Sequence, residues 1–282
     1  MRQPRRVRKV IQSRGQKEGG GVTVFRSIGG RELDHVDPFL LLDEMKSDDP
    51  KEYIAGFPDH PHRGFETLTY MIQGEMIHMD SQGNREVLSS GGAQWITAGK
   101  GIVHSEIPKQ ERGLLWGFQL WINLPAERKM CQPDYRSFSA EEMPVCVHNK
   151  AEIKIIAGDF QGTRGPVKGI GADPAVFDIT LKPNSRIRLE PEREENTLLY
   201  LLEGGVCFIN GQEPLESFET PGTLVCFEKG DYLEVAARDL NTRFLYLSAK
   251  PIGEPVARYG PFVMNNMSEI EKAFRDYETG QF

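Results

Sequence analysis

The sequence is poor in the residues that mark most thiolate, export and nucleic-acid-binding systems. Its 282 residues include only four cysteines and six histidines. Cys131, Cys146, Cys207 and Cys226 are widely spaced and form no C-x-x-C pair, which argues against a thiolate zinc site and against a disulfide framework. Free thiols in a reducing cytoplasm are the expectation. No apolar run approaches the ~20 residues that a membrane span needs. Basic charge is in deficit as well. The formal net charge of −7 disfavours nonspecific attraction to phosphate backbones. Arg2, Arg5, Arg6, Arg8 and Lys9 are a local exception. With no apolar stretch behind them they are not expected to be an export signal, and they read as a solvated tail leading into a first strand. The expectation is a cytoplasmic monomer with neither a membrane nor a direct nucleic-acid partner.

What is present is a succession of short apolar segments divided by Gly, Pro, Asn and Asp. Residues 66–73 alternate, with Leu68, Tyr70 and Ile72 on one face and Thr67, Thr69 and Gln73 on the other, which predicts a half-buried strand. The texture of 67–75 returns at 197–205, and that of 92–97 at 222–227. This offset, about 130 residues, is too long for a solenoid and suggests two similar β-domains. A polar stretch with Pro125, Pro133 and Pro144 is the expected linker, placing the domains at 1–135 and 136–282. Near the end, Ser268 and Glu271 suggest a capping box, with Ile270, Ala273, Phe274 and Tyr277 on one helical face and Gly280 as the stop.

The chemistry concentrates in two segments. In Phe57-Pro58-Asp59-His60-Pro61-His62-Arg63-Gly64-Phe65-Glu66, strand alternation puts His60, His62 and Glu66 on one face if no bulge intervenes. In Gly99-Lys100-Gly101-Ile102-Val103-His104-Ser105-Glu106, His104 and Glu106 again share a face. A lone H-x-H pair is more often packing than ligation. A barrel that sets these two strands side by side, however, collects three imidazoles and a carboxylate. That set suits iron(II), manganese, nickel, copper or zinc and leaves positions open on an octahedral ion. His35, His78 and His148 are expected to be packing or solvated residues.

These segments resemble the cupin superfamily. Gly56, His60, His62, Glu66 and Gly74 follow its first motif, and Gly99 to His104 follow its second, with Gly99 where the motif has proline. Asp37-Pro38-Phe39-Leu40-Leu41, the two segments above, and Gly260-Pro261-Phe262-Val263-Met264-Asn265 narrow the resemblance to the pirins, over nearly the whole chain. The resemblance implies an all-β bicupin: two stacked β-barrels with a short C-terminal helix, the N-terminal one metal-binding and the C-terminal one metal-free. It implies one divalent metal, iron(II) foremost, held by His60, His62, His104 and Glu106. Glu66 would then stand beside the ligands rather than among them, with Phe57, Arg63 and Trp121 around the pocket. The activity implied is that of a quercetin 2,3-dioxygenase, which opens the flavonol heterocycle with dioxygen and releases carbon monoxide, with Glu106, or next to it Glu66, taking the substrate's 3-hydroxyl proton. The alternative is a redox-sensing regulatory protein whose partner is a transcription factor or a metabolic enzyme.

Overall fold

The computed structural model describes residues 2–210, 213–218 and 220–282. The chain divides into two compact units. One comprises Met1–Ser13, Met143–Lys168 and Asp173–Pro251; the other comprises Arg14–Glu142, Gly169–Ala172 and Ile252–Phe282. Among the described residues each unit carries a seven-stranded and a four-stranded antiparallel sheet, and each is a cupin barrel.

The units are not the consecutive blocks 1–135 and 136–282, because strand pairing reaches across the chain. Val7–Gln12 pairs with Thr223–Phe227, which assigns the first residues to the barrel built from the second half. The basic start is therefore not wholly a solvated tail. Arg5 is buried and donates to the carbonyls of Glu192 and Glu195, each at 2.7 Å. Conversely, the C-terminal segment joins the first barrel, where the Val263 amide donates to the Arg63 carbonyl at 3.1 Å.

In the unit holding the histidines, the large sheet runs in the order 134–138, 93–97, 65–73, 115–123, 39–47, 22–28, 14–18. The small sheet runs 57–62, 102–108, 75–80, 85–89. Val22, Val24, Met45, Tyr53, Met71, Met76, Leu88 and Leu115 form an apolar cluster in this unit. Phe65–Gln73 is not half-buried as its alternation suggests; its threonines are as buried as its aliphatics, so both of its faces are covered.

The other barrel is filled with aliphatic and aromatic side chains. In the strand pair at the same place in its small sheet, Ile187 faces Val235 and Leu189 faces Leu233, all within one apolar core.

Among the described residues the one α-helix is Met267–Glu278. Its N-cap is Asn266 rather than Ser268: the Asn266 side chain accepts from the Glu269 amide at 3.0 Å, and the Ser268 hydroxyl donates to that same oxygen. Ile270 and Ala273 pack with Phe262, Met264, Phe274 and Phe282.

Candidate metal centre

The strands Phe57–His62 and Ile102–Pro108 pair antiparallel, with His60 opposite His104 and Phe57 opposite Glu106. Pro58 and Pro61 fit this strand because it lies at the edge of the small sheet, where fewer ladder hydrogen bonds are required of it. The pairing gathers His60, His62 and His104 so that one ligand atom of each lies within 4.8 Å of the others. The ring centroids are 4.7 Å apart for His60 and His62, 4.3 Å for His60 and His104, and 5.0 Å for His62 and His104.

Hydrogen bonds fix two of the tautomers. Nδ1 of His60 donates to the Pro58 carbonyl at 2.8 Å, and Nδ1 of His62 reaches the Pro261 carbonyl at 3.4 Å. Each ring thereby keeps Nε2 as a lone-pair donor. His104 is fully buried, and neither of its ring nitrogens has a hydrogen-bond partner among the described residues. A buried imidazole without partners is costly unless something binds it. Burial lowers the pKa of all three rings, and His62 and His104 fall well below the ordinary histidine value, with the neighbouring imidazoles adding to the effect. Three neutral nitrogen donors facing one another fit a divalent transition metal.

Glu106 does not join this three-residue group. It lines the same cavity as His60 and His62, and its carboxylate accepts from the Thr69 hydroxyl at 3.0 Å and the Gln119 amide at 2.9 Å. Burial pushes its pKa up to about 7 against the pull of those two bonds.

The cavity has a volume of about 740 Å³, a size suited to a drug-sized ligand. Phe57 and Trp121 line it, as the sequence suggests. The Trp121 ring meets His62 edge-on at 5.0 Å and lies 4.3 Å from Phe65.

Glu66, expected beside the ligands, and Arg63, expected at the pocket, both point elsewhere. The Glu66 carboxylate accepts from Trp95 Nε1 at 2.9 Å, the Thr97 hydroxyl at 2.7 Å and the Ile170 amide at 3.2 Å, away from the cavity. Arg63 donates to the Lys100 carbonyl and to Asp276 at 2.8 Å, and its guanidinium lies over the Phe282 ring. For Arg63 ordinary alternation beside His62 suffices; for Glu66 the cause is Gly64, at φ 87°, where the chain passes from the small sheet to the large one and the alternation restarts. A Cβ there would sit 2.0 Å from the Val263 carbonyl. Beyond this break Thr69, not Glu66, meets the site. Gly99 stands in the position of the motif proline because its φ of 50° is closed to proline, and a Cβ would meet the Cys131 carbonyl.

His78 is excluded as a donor by its own bonds. Its Nε2 donates to Asp80 at 3.1 Å, its Nδ1 accepts from Gln94 at 3.1 Å, and its ring stacks on Tyr135. His35 pairs with Asp34, and His148 lies beside Asn149 in the other unit. Sequence reasoning missed Thr69 and Gln119, which hold Glu106, and Arg26, Asp43 and Arg258 on the cavity wall. The polar Thr67/Thr69 face was the available signal for a polar barrel interior.

The model of the Pirin family matches residues 21–122, and that of the Pirin C-terminal cupin domain matches 176–282. A pirin-like protein of Caulobacter vibrioides is 41% identical over 283 residues, covering 99% of both chains. Pirin-like protein 2 of Arabidopsis thaliana is 40% identical, over 98% of this chain and 85% of its own length. The crystal structure of a quercetin 2,3-dioxygenase from Acinetobacter baumannii superposes with a TM-score of 0.88 at 31% identity, covering 99% of this chain and 98% of that one.

Proposed function

The chain belongs to the pirin family, and from that premise we propose that it is a metal-dependent dioxygenase of the quercetin 2,3-dioxygenase type. The observation that carries the reading is the buried, partnerless His104 clustered with His60 and His62, which themselves line a cavity large enough for a flavonol. The likeness to the Acinetobacter enzyme supports it.

His60, His62 and His104 are the nitrogen donors, and Glu106 is the fourth donor on the same cavity. Iron(II) is the metal we assign; when bound it supplies Lewis acidity and an electron path between substrate and dioxygen. The remaining work falls to side chains. Glu106 accepts the 3-hydroxyl proton of the flavonol, a role suited to a carboxylate whose proton affinity burial has raised toward neutrality. Thr69 and Gln119 hold that carboxylate in place. Trp121 and Phe57 give the cavity an apolar, planar wall that excludes water from the heterocycle.

The test is direct. Protein loaded anaerobically with iron(II) is mixed with quercetin in air, and flavonol loss and carbon monoxide release are followed together. Turnover with stoichiometric carbon monoxide is the expected result. Absence of turnover with iron, manganese, nickel and copper alike would overturn the dioxygenase reading.

A further inference from the structure

One wall of the cavity carries charge that the proposed chemistry does not use. Arg26 is fully engaged there: Nε and Nη2 donate to the two Asp43 oxygens at 2.8 and 2.7 Å, and Nη1 pairs with Glu18 at 3.0 Å. Asp34 is bonded to His35. Arg258 lines the same cavity and differs from its neighbours. Its single hydrogen bond runs from Nη1 to the Leu40 carbonyl at 3.1 Å, and among the described residues it forms no ion pair. Burial and the nearby Arg26 oppose its charge, and Asp34, Asp43 and Glu18 favour it only through space. An arginine keeps its charge in such a place, so its remaining donors are open to a ligand's acceptors in the cavity.

The guanidinium is held in position. It lies 4.9 Å from the Trp121 ring centroid, and Trp121 in turn meets His62 at 5.0 Å. Arg258 therefore stands one indole away from the metal-binding histidines. Gly29 keeps its path open, since a Cβ there would sit 3.0 Å from Arg258 Nη1.

We propose that Arg258 is a specificity-determining residue that binds an anionic oxygen on the part of the substrate remote from the histidines, so that the preferred substrates are planar aromatic anions carrying a carboxylate or phenolate at that end. This rests on the flavonol reading above for the other end of the molecule. Arginine suits the task because its planar fork accepts a carboxylate with two parallel bonds, and the half-buried cleft strengthens them.

The experiment compares 3-hydroxyflavone with its 4′-carboxylate. Both present the same 3-hydroxyl and 4-carbonyl, and they differ only in the distal carboxylate. Binding to iron(II)-loaded protein under nitrogen is read from tryptophan fluorescence. Wild type should bind the carboxylate about tenfold more tightly, the scale of one charge-assisted bond. Arg258→Met should bring the two ligands within about twofold at unchanged metal content, and Arg258→Lys should keep part of the difference. A preference that survives in Arg258→Met, or that wild type lacks, overturns the proposal. If wild type binds neither flavone, the flavonol reading fails. Arg258 is then judged by naphthalene-2-carboxylate against 2-methylnaphthalene in the same titration, with the same two results deciding.

Discussion

His60 stands directly opposite His104 across one antiparallel strand pair, and their ring centroids are 4.3 Å apart. In water two imidazoles at this distance would compete for protons. Here burial removes that option, and the rings stay neutral with lone pairs facing inward. Most of the site follows from this relationship.

The first consequence concerns His104→Leu. The wild-type ring is buried with both nitrogens unpartnered, so an apolar side chain of similar size removes a desolvation cost. Without metal the variant should be as stable as wild type or more stable by about 1 kcal/mol in urea unfolding. Its metal content by elemental analysis should fall from one ion to about a tenth or less, and added metal should no longer raise its melting temperature. Full metal retention would mean that the donors are other residues.

Glu106→Gln separates chemistry from structure. The amide still meets Thr69 and Gln119, so the melting temperature should move by only a few degrees. Flavonol turnover per bound metal ion should drop by about 10²–10⁴-fold, the usual contribution of a positioned base. Undiminished turnover would remove Glu106 from the reaction.

The three histidines were legible because their two motifs lie on strands, where an i, i+2 spacing survives folding. Glu66 was misplaced for a local reason. Parity carries through a strand but not through Gly64, and no pattern in residues 60–66 shows that the chain changes sheets there. Pro261 and Arg258 were invisible as site components for a topological reason. They come from about 200 residues downstream, through a segment that joins the first barrel rather than the second, and long-range pairing of that kind leaves no periodic trace. The repeated texture of the two halves was a sound guide to two barrels. It gave no hint that Val7–Gln12 would pair with Thr223–Phe227.

Gly64→Ala should be severe. The residue needs positive φ, and the new methyl would meet a backbone carbonyl that cannot step aside. A loss of about 3 kcal/mol or more is expected, with poor soluble yield, since strain and overpacking add. Any folded fraction should also bind metal weakly, because His62 lies two residues upstream. Wild-type stability in this variant would show that the crossing is more yielding than its geometry implies.

Lys129 offers a test by pH. Its ammonium is buried, donating to the Gly64 carbonyl at 2.7 Å, Asn123 Oδ1 at 2.6 Å and the Val263 carbonyl at 3.1 Å. It thus ties the crossing after His62 to the C-terminal segment. Burial lowers its pKa to about 8 from the ordinary lysine value of 10.5, and Glu254 and Glu269 offset only part of that. Between these two values the unfolded chain holds a proton that the folded chain has released. The unfolded state then binds more protons, and stability rises with pH. Below pH 8 both states are protonated, and the full cost of burying the charge is present. Above pH 10.5 neither is, and that cost is gone. The relief over this window is on the order of 3 kcal/mol. Lys129→Met leaves three acceptors without their donor, so it should be less stable than wild type at pH 7.5 by about 2–3 kcal/mol. It should also lack the rise, so the gap between the two proteins widens from pH 7.5 to 9.5 in urea titrations. A gap that stays constant across that range would mean that the three acceptors hold the ammonium charged at its ordinary pKa.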